Sequence, residues 1–310
     1  MNDSPHTATT VSVVIPVYNR RNMIANAVDS VLSQEVPDGW DMEIVIVDDG
    51  SDDGTVERAR ESARADARVS VVTIDHCGMP GAVRNRGVES SFGELLAFLD
   101  SDDRWLPGKL RRQLALHSGK PDARADIIGS TGERASGVTA VRLSHTRERW
   151  IRDGIEVSQR GLRHRRRGDI FYDALEKCII GPSTAMIERD LFLALGGFRE
   201  DLEVAEDYEF WLRALCRTAP DYIDEPLVEK RAGEWDQLSS RYGQIEGFRI
   251  AALRDLVRSA SIYTYRGEED QRYAEQVLSR KLRIFAAGAR KRGRTDEAAR
   301  LTIEANSYEQ

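Results

Sequence analysis

Four short and almost uninterrupted apolar runs constrain this chain more than any other feature: Val11–Val17, Glu43–Val47, Val69–Ile74 and Leu95–Leu99. A strand buried on both faces reads this way, whereas a strand with one wet face alternates. The intervening stretches carry helical spacing. Within 22–33 the apolar positions are Met23, Ile24, Ala27, Val28, Val31 and Leu32. Asp52 or Asp53 can cap a helix over about 54–65, a further helix is expected over 81–90, and Pro107 suits the start of one running to His117. Strands alternating with helices define an α/β chain with a mostly parallel sheet covered on both faces. Such sheets bind ligands at the carboxyl ends of their strands. Three of those ends are polar here: Tyr18-Asn19-Arg20, Asp48-Asp49 and Asp100-Ser101-Asp102-Asp103.

The last of these carries three carboxylates within four residues. Like charges this close repel, and a divalent cation with hard oxygen ligands, Mg²⁺ or Mn²⁺, is the simplest relief. Asp100, Asp102 and Asp103 are therefore candidate metal ligands, with helix capping an alternative for Asp103. No Gly-x-Gly-x-x-Gly or Gly-x-x-x-x-Gly-Lys loop follows the first strand, which disfavours dinucleotide oxidoreductases and P-loop nucleotidases. The loop there offers Pro16, Val17, Tyr18, Asn19 and Arg20 instead. An aromatic ring and an amide can flank a nucleobase, although Tyr18 can equally pack the strand end. Asp48 and Asp49 can bond a base or ribose edge, or serve the Asp-Asp-Gly-Ser turn. Arg84 and Asn85 can approach phosphate. Glu206-Asp207 opens a helical stretch, where acids suit the helix dipole. A carboxylate there can also act as a general base, sheltered by Tyr208, Phe210 and Trp211.

Residues 119–180 are weakly patterned and include a basic run at Arg160, Arg163, His164, Arg165, Arg166 and Arg167. Such a run is a solvated loop or a flap over a phosphate-bearing substrate. From about 243 onward the pattern is helical. The 310 residues carry 41% hydrophobic and 31% charged side chains, which suits a soluble enzyme. A net charge of −7 argues against a broad nucleic-acid surface. Three isolated cysteines, Cys77, Cys178 and Cys216, suit a reducing cytoplasm. No run approaches the roughly 20 apolar residues of a membrane span, and residues 1–10 lack the features of a signal peptide.

Several motifs recur in order: Val-Ile-Pro-Val-Tyr-Asn at 14–19, Ser-Val-Leu-Ser-Gln at 30–34 and Val-Asp-Asp-Gly-Ser at 47–51. Ala-Val-Arg-Asn-Arg-Gly at 82–87, Phe-Leu-Asp-Ser-Asp-Asp at 98–103, Gly-Gly-Phe-Arg-Glu at 196–200 and Glu-Asp-Tyr-Glu-Phe-Trp-Leu-Arg at 206–213 follow. Together they resemble the family-2 inverting glycosyltransferases of GT-A fold over roughly residues 11–240. The resemblance implies a short N-terminal tail (1–10), a nucleotide-binding half (11–118), an acceptor half (119–240) and a C-terminal helical region (241–310). It also implies single-displacement transfer from a UDP-sugar to an acceptor hydroxyl with Mn²⁺ or Mg²⁺. The acceptor would be a saccharide, a lipid-linked glycan or a small molecule, and a homodimer is compatible.

Carried onto this chain, the family pattern places uridine on Pro16, Val17, Tyr18, Asn19, Arg20 and Asp49, with Asp48 beside them. Arg84 and Asn85 lie where the nucleotide pocket closes. Asp100, Ser101 and Asp102 match the Asp-x-Asp motif for ribose and metal, with Asp103 sharing the metal. Asp207 matches the catalytic base, with Glu206 and Trp211 beside the nucleotide-sugar. One departure stands out. Glu234 occupies the position where many relatives carry a histidine before the Asp236-Gln237-Leu238-Ser239 segment. A sugar-phosphate nucleotidyltransferase and a catalytically inactive nucleotide-sugar-binding protein are the alternative readings.

Overall fold

The computed structural model describes residues 8–118, 141–158, 167–232 and 245–309. Strands and helices alternate through β1 (Thr9–Val17), α1 (Arg21–Leu32), β2 (Trp40–Asp48), α2 (Thr55–Ala63), β3 (Val69–Thr73), α3 (Pro80–Glu89) and β4 (Leu95–Phe98). β1 pairs in parallel with both β2 and β4, and β2 pairs with β3. The strand order β3-β2-β1-β4 reverses between β1 and β4, the crevice where ligands of such sheets bind. Pro16 lies inside β1 opposite Val47 instead of ending it. The Asp49 amide bonds the Val17 carbonyl, while the Leu99 amide bonds the Val14 carbonyl. Alternate residues therefore face alternate neighbours, and Pro16 faces β4 beyond its last pairing at Phe98. Its missing donor removes no ladder bond.

The rest of the sheet is drawn from residues 104–232, including two strands from the weakly patterned middle. β5 (Arg104–Trp105) and α4 (Lys109–His117) precede β6 (Leu143–Arg152) and β7 (Ile155–Val157). α5 (Phe171–Glu176), a 3₁₀ turn at Pro182–Thr184, β8 (Met186–Glu188), α6 (Arg189–Ala194), α7 (Glu206–Arg217) and β9 (Asp221–Ala232) follow. The order continues β4-β8-β6-β9-β5. β8 runs antiparallel to β4 and β6, β9 lies parallel to β6, and β5 and β7 pair antiparallel with β9 and β6. The sheet is thus parallel in its first half and mixed in its second. β6 and β9 escaped the sequence reading because their outer halves carry charges on both faces, such as Glu148 and Arg149.

α8 (Ile245–Arg258), α9 (Ser261–Arg266), α10 (Glu268–Lys291) and α11 (Thr295–Ser307) complete the chain. Expected as an appendage, they share one continuous core with the sheet: Ile250, Leu253, Leu278 and Leu282 join the cluster of Val14, Phe98, Phe198 and Phe210. The opposite sheet face buries Val13, Ile15 and Ile44 against Ile24, Val28 and Leu110. Each such side chain contributes roughly 1.5–3 kcal/mol relative to exposure. α3 packs hard on this sheet because Gly87 has no Cβ: one placed there would lie 2.3 Å from Val14 Cγ1.

Candidate active site

The loop after β1 is stitched to the loop after β2. Asn19, in the left-handed region at φ +47°, donates its amide to Ser51 Oγ at 2.9 Å and accepts from the Asp52 amide at 3.1 Å. The Arg20 amide bonds Thr55 Oγ1, and Asp53 accepts from the Thr55 amide. The N-cap of α2 is Gly54 and not Asp52 or Asp53, although Asp53 still accepts from an amide of the first turn. Tyr18, 40% exposed, stacks on His76 with ring centroids 4.0 Å apart and planes 20° apart. Asp49 is buried beneath this pair. It accepts from the Cys77 and Gly78 amides at 2.8 and 3.0 Å, and His76 Nδ1 lies 2.9 Å from its carboxylate. Asp48 accepts from the Ser51 amide at 3.1 Å, while its Oδ1 is buried without a partner. Val17 directs its side chain into the core. An aromatic pair over a fixed carboxylate is a shelf on which a flat heterocycle can stack and hydrogen-bond.

At the end of β4 the carboxylates divide. Arg84, 6% exposed, projects from α3 and binds Asp100 at 2.7 Å and Glu206 at 2.5 Å. Burial opposes the Arg84 charge, but Asp100 and Glu206 outweigh it and keep the guanidinium protonated. Burial likewise opposes ionisation of Asp100, yet Arg84 and Lys230 hold its carboxyl below the usual range. Asp103 is buried, accepts from Ser183 Oγ at 2.6 Å and faces Lys230 Nζ at 4.0 Å. Burial pushes its carboxyl well up despite Lys230. Ser183 also accepts the Asp100 amide at 3.0 Å, so the 3₁₀ turn pins both ends of the carboxylate loop. The helix-capping alternative for Asp103 is not realised, since α4 begins only at Lys109 after Gly108. Ser101 is buried.

Asp102 is half-buried and makes no side-chain hydrogen bond or ion pair with another described residue. Burial and the neighbouring Asp100 raise its carboxyl. Among the described residues no three acidic, histidine or thiol side chains cluster as a ready-made metal cage. The donor set still suits a hard cation. Mg²⁺ is commonly held by one or two carboxylates together with substrate phosphates. Asp102 and the Asp100 oxygen not engaged by Arg84 supply that much.

Ala205, at φ +64°, turns the chain so that α7 opens with Glu206 and Asp207 at the site. Glu206 is buried against Arg84; burial first, and Asp207 next to it, push its carboxyl up to about 7. Asp207 is half-buried, bonds the Tyr208 amide at 2.7 Å, and lies 3.6 Å from the Cys178 thiol. Burial, then Asp207, raise that thiol well above its usual range, so it stays protonated and donates. Tyr208, Phe210 and Trp211 belong to the core. Trp211 is 2% exposed, with its Nε1 unpartnered. Asn85 is committed to the loop after α6, bonding the Phe198 amide and carbonyl and Glu200.

The structure thus brings Asp100, Asp102, Asp103, Arg84, Glu206 and Asp207 together. It separates Trp211 and the Val17 side chain into the core and gives Asn85 to a neighbouring loop. Arg160, Arg163, His164, Arg165, Arg166 and Glu234 lie outside the described residues. Sequence reasoning missed His76, Ser183, Lys230 and Glu148. Lys230 was legible in principle: Leu227-Val228 followed by Glu229-Lys230-Arg231 is another apolar run ending in charge.

A sheet of this order, with acidic loops converging at its switch point, defines a GT-A glycosyltransferase fold. The architecture matches that of the S. aureus TarS fragment 1–349 solved with UDP-GlcNAc, at TM-score 0.67 and 22% identity over 96% of this chain and 79% of that one. It also matches mannosyltransferase PcManGT from Pyrobaculum calidifontis, solved with GDP-Man and Mn²⁺, at TM-score 0.55 and 19% identity over 97% of this chain and 87% of that one. The profile of Glycosyl transferase family 2 matches residues 12–196. The chain is 31% identical over 223 residues, 71% of its length and 78% of the relative's, to the putative teichuronic acid biosynthesis glycosyltransferase TuaG of Bacillus subtilis. The chain belongs to glycosyl transferase family 2 and is a transferase. Among the described residues no helix is long and apolar enough to cross a membrane.

Proposed function

We propose that this chain is an inverting glycosyltransferase that moves a sugar from a UDP-sugar to an acceptor hydroxyl, with Asp207 as the base. The observation that carries this reading is the meeting of two acidic groups at one crevice. The Asp100–Asp103 loop closes β4, and Asp207 enters from α7, with Arg84 tying the two sides together through Asp100 and Glu206. The shelf of Tyr18, His76 and Asp49 suits uracil. Arg84, held between two carboxylates, orients the loop. Asp103, engaged by Ser183, acts by positioning.

In the reaction Asp207 accepts the acceptor's hydroxyl proton within hydrogen-bond reach. The acceptor oxygen bonds the anomeric carbon on the face opposite the diphosphate. The bond from that carbon to the phosphate oxygen breaks, and its electron pair departs with UDP. One displacement inverts the centre, so an α-linked donor yields a β-linked product. Asp102 and Asp100 would hold a Mn²⁺ or Mg²⁺, which would supply Lewis-acid charge at the diphosphate. The Cys178 thiol packs beside Asp207 at 3.6 Å, with the Ile180 carbonyl also within reach of its one proton at 3.3 Å.

UDP release from UDP-sugars with Mn²⁺, alone and with candidate acceptors, tests this reading. Asp207→Asn is expected to retain donor binding and lose transfer; near-normal transfer would remove Asp207 from its role. Asp102→Ala is expected to lose cation-dependent UDP binding by calorimetry. UDP binding without turnover against any donor and acceptor would instead favour a binding protein.

A further inference from the structure

Lys230 presents a largely buried ammonium beside the Asp-x-Asp loop. Its side chain is only 18% exposed, and Nζ lies 3.8 Å from Glu148 and 4.0 Å from Asp103. Both distances exceed hydrogen-bond length, and Nζ makes no hydrogen bond with a described residue. A buried ammonium with three unfilled donors is costly unless something supplies acceptors. Asp100 and Asp207 also act on it electrostatically. The ammonium therefore lies beside the Asp-x-Asp loop, 4.0 Å from Asp103 and within electrostatic reach of the base.

Strand periodicity explains the placement. Trp150 pairs with Lys230 across β6 and β9, and Arg149 pairs with Glu229. Successive side chains alternate faces, so Glu148, Trp150 and Lys230 share one face. Glu229 occupies the other, where it holds Arg104 at 3.0 Å and Arg149 at 2.7 Å. Trp150 Nε1 donates to Glu148 at 2.7 Å and fixes that carboxylate, and Lys230 Nζ lies 5.6 Å from the Trp150 ring centroid. A Cβ on Gly181 would come within 3.1 Å of both Glu148 Oε2 and Lys230 Nζ. A side chain at 181 would thus crowd both groups.

We infer that Lys230 and Glu148 read a hydroxyl pair on the transferred sugar, and that this sugar is uncharged. The inference rests on the UDP-sugar reading above. Adjacent sugar hydroxyls both donate and accept, so one can accept from the ammonium while its neighbour donates to the carboxylate. Glu148 and Asp207, which both act on Lys230, outnumber the single ammonium. A uronate carboxylate brought among them meets net repulsion, whereas a neutral hexosyl or N-acetylhexosaminyl group does not.

The test is calorimetry on the full chain with Mn²⁺, comparing UDP with UDP-glucose, UDP-galactose, UDP-GlcNAc and UDP-glucuronate. Wild-type protein should bind at least one neutral UDP-sugar about tenfold or more tightly than UDP-glucuronate. Lys230→Met should weaken that neutral donor at least tenfold and leave UDP within about threefold. Glu148→Gln keeps the volume and an acceptor for Trp150, so it serves if Lys230→Met fails to fold, as a melting curve would show. It should narrow the gap between neutral sugar and glucuronate. Equal losses for UDP and UDP-sugar would place Lys230 at the diphosphate and overturn the inference. Unchanged donor binding with a raised acceptor KM would place the pair at the acceptor and overturn it too. Wild-type protein that binds none of these nucleotides would refute the UDP-sugar reading itself.

Discussion

Arg84→Met isolates the contact on which the site's architecture depends. Arg84 is 6% exposed and bonds Asp100 at 2.7 Å and Glu206 at 2.5 Å. Breaking a buried pair from one side leaves an uncompensated charge, at about 3–5 kcal/mol. Asp100 is a quarter exposed, at 25%, so water screens its share and the loss rests mainly on Glu206. We expect about 3 kcal/mol at pH 8, read as a lower urea midpoint at unchanged slope. The dependence on pH has a definite sign. The folded-state carboxyl of Glu206, pushed from 4.5 to about 7 by burial and Asp207, favours the protonated form. Its stabilising contribution is full below 4.5 and is lost as pH rises through 7. Without Arg84 the carboxyl moves further up, so the variant's deficit is larger at pH 8 than at pH 5. Arg84→Met with Glu206→Met should recover most of the loss, because an apolar pair needs no compensation. A deficit below about 1 kcal/mol at pH 8, or one equal at both pH values, would refute this reasoning.

Two other consequences lie outside the crevice and one within it. Gly87→Ala would put a methyl 2.3 Å from Val14 Cγ1 and 3.1 Å from Val47 Cγ2. Overpacking of about 1–3 kcal/mol exceeds the gain of roughly 1 kcal/mol in helix propensity, so thermal melting should show net destabilisation. Lys109 is fully buried, with Nζ 2.6 Å from Gln113 Oε1 and 3.9 Å from the Trp105 ring centroid. Burial pushes its ammonium well below 10.5, so the folded state binds fewer protons and stability should rise as pH climbs towards 10.5. That rise should flatten in Lys109→Met, and a parallel pH profile in the two proteins would contradict it. Ser183→Ala removes the hydroxyl that holds the Asp100 amide and the Asp103 carboxylate. It should weaken Mn²⁺-dependent UDP binding several-fold by calorimetry while the melting point changes little.

The first half of the fold was legible because its strands are buried on both faces. Val11–Val17 and Leu95–Leu99 could be little else, and the observed β1 and β4 agree to within two residues at each end. β6 and β9 were not legible, because their apolar residues are scattered and broken up by charged ones. Glu148, Trp150 and Lys230 look like surface residues until the register places them over the crevice. Asn85 and Trp211 illustrate the opposite error. Both sit within motifs that include crevice residues, but Asn85 braces the Phe198 loop and Trp211 fills the core. A motif carries the local packing of its crevice as well as its chemistry, and spacing alone does not separate the two.

The acidic loop after β4 first suggested a cation on electrostatic grounds alone. The fold supplies much of that cation itself. Arg84 answers Asp100 at 2.7 Å, and Lys230 lies 4.0 Å from an Asp103 that Ser183 also holds. Asp102 alone is left without a protein partner among the described residues. Three carboxylates therefore do not imply three metal ligands. Asp103 is set by Lys230 and Ser183, and Asp100 keeps only the oxygen that Arg84 leaves open. Asp102 is left as the carboxylate most open to an exchangeable ion. That division predicts unequal consequences. Removing Asp103 should disturb folding more than cation affinity, and removing Asp102 should do the reverse. Parallel urea and Mn²⁺ titrations of Asp103→Asn and Asp102→Asn would reveal any contrary ordering.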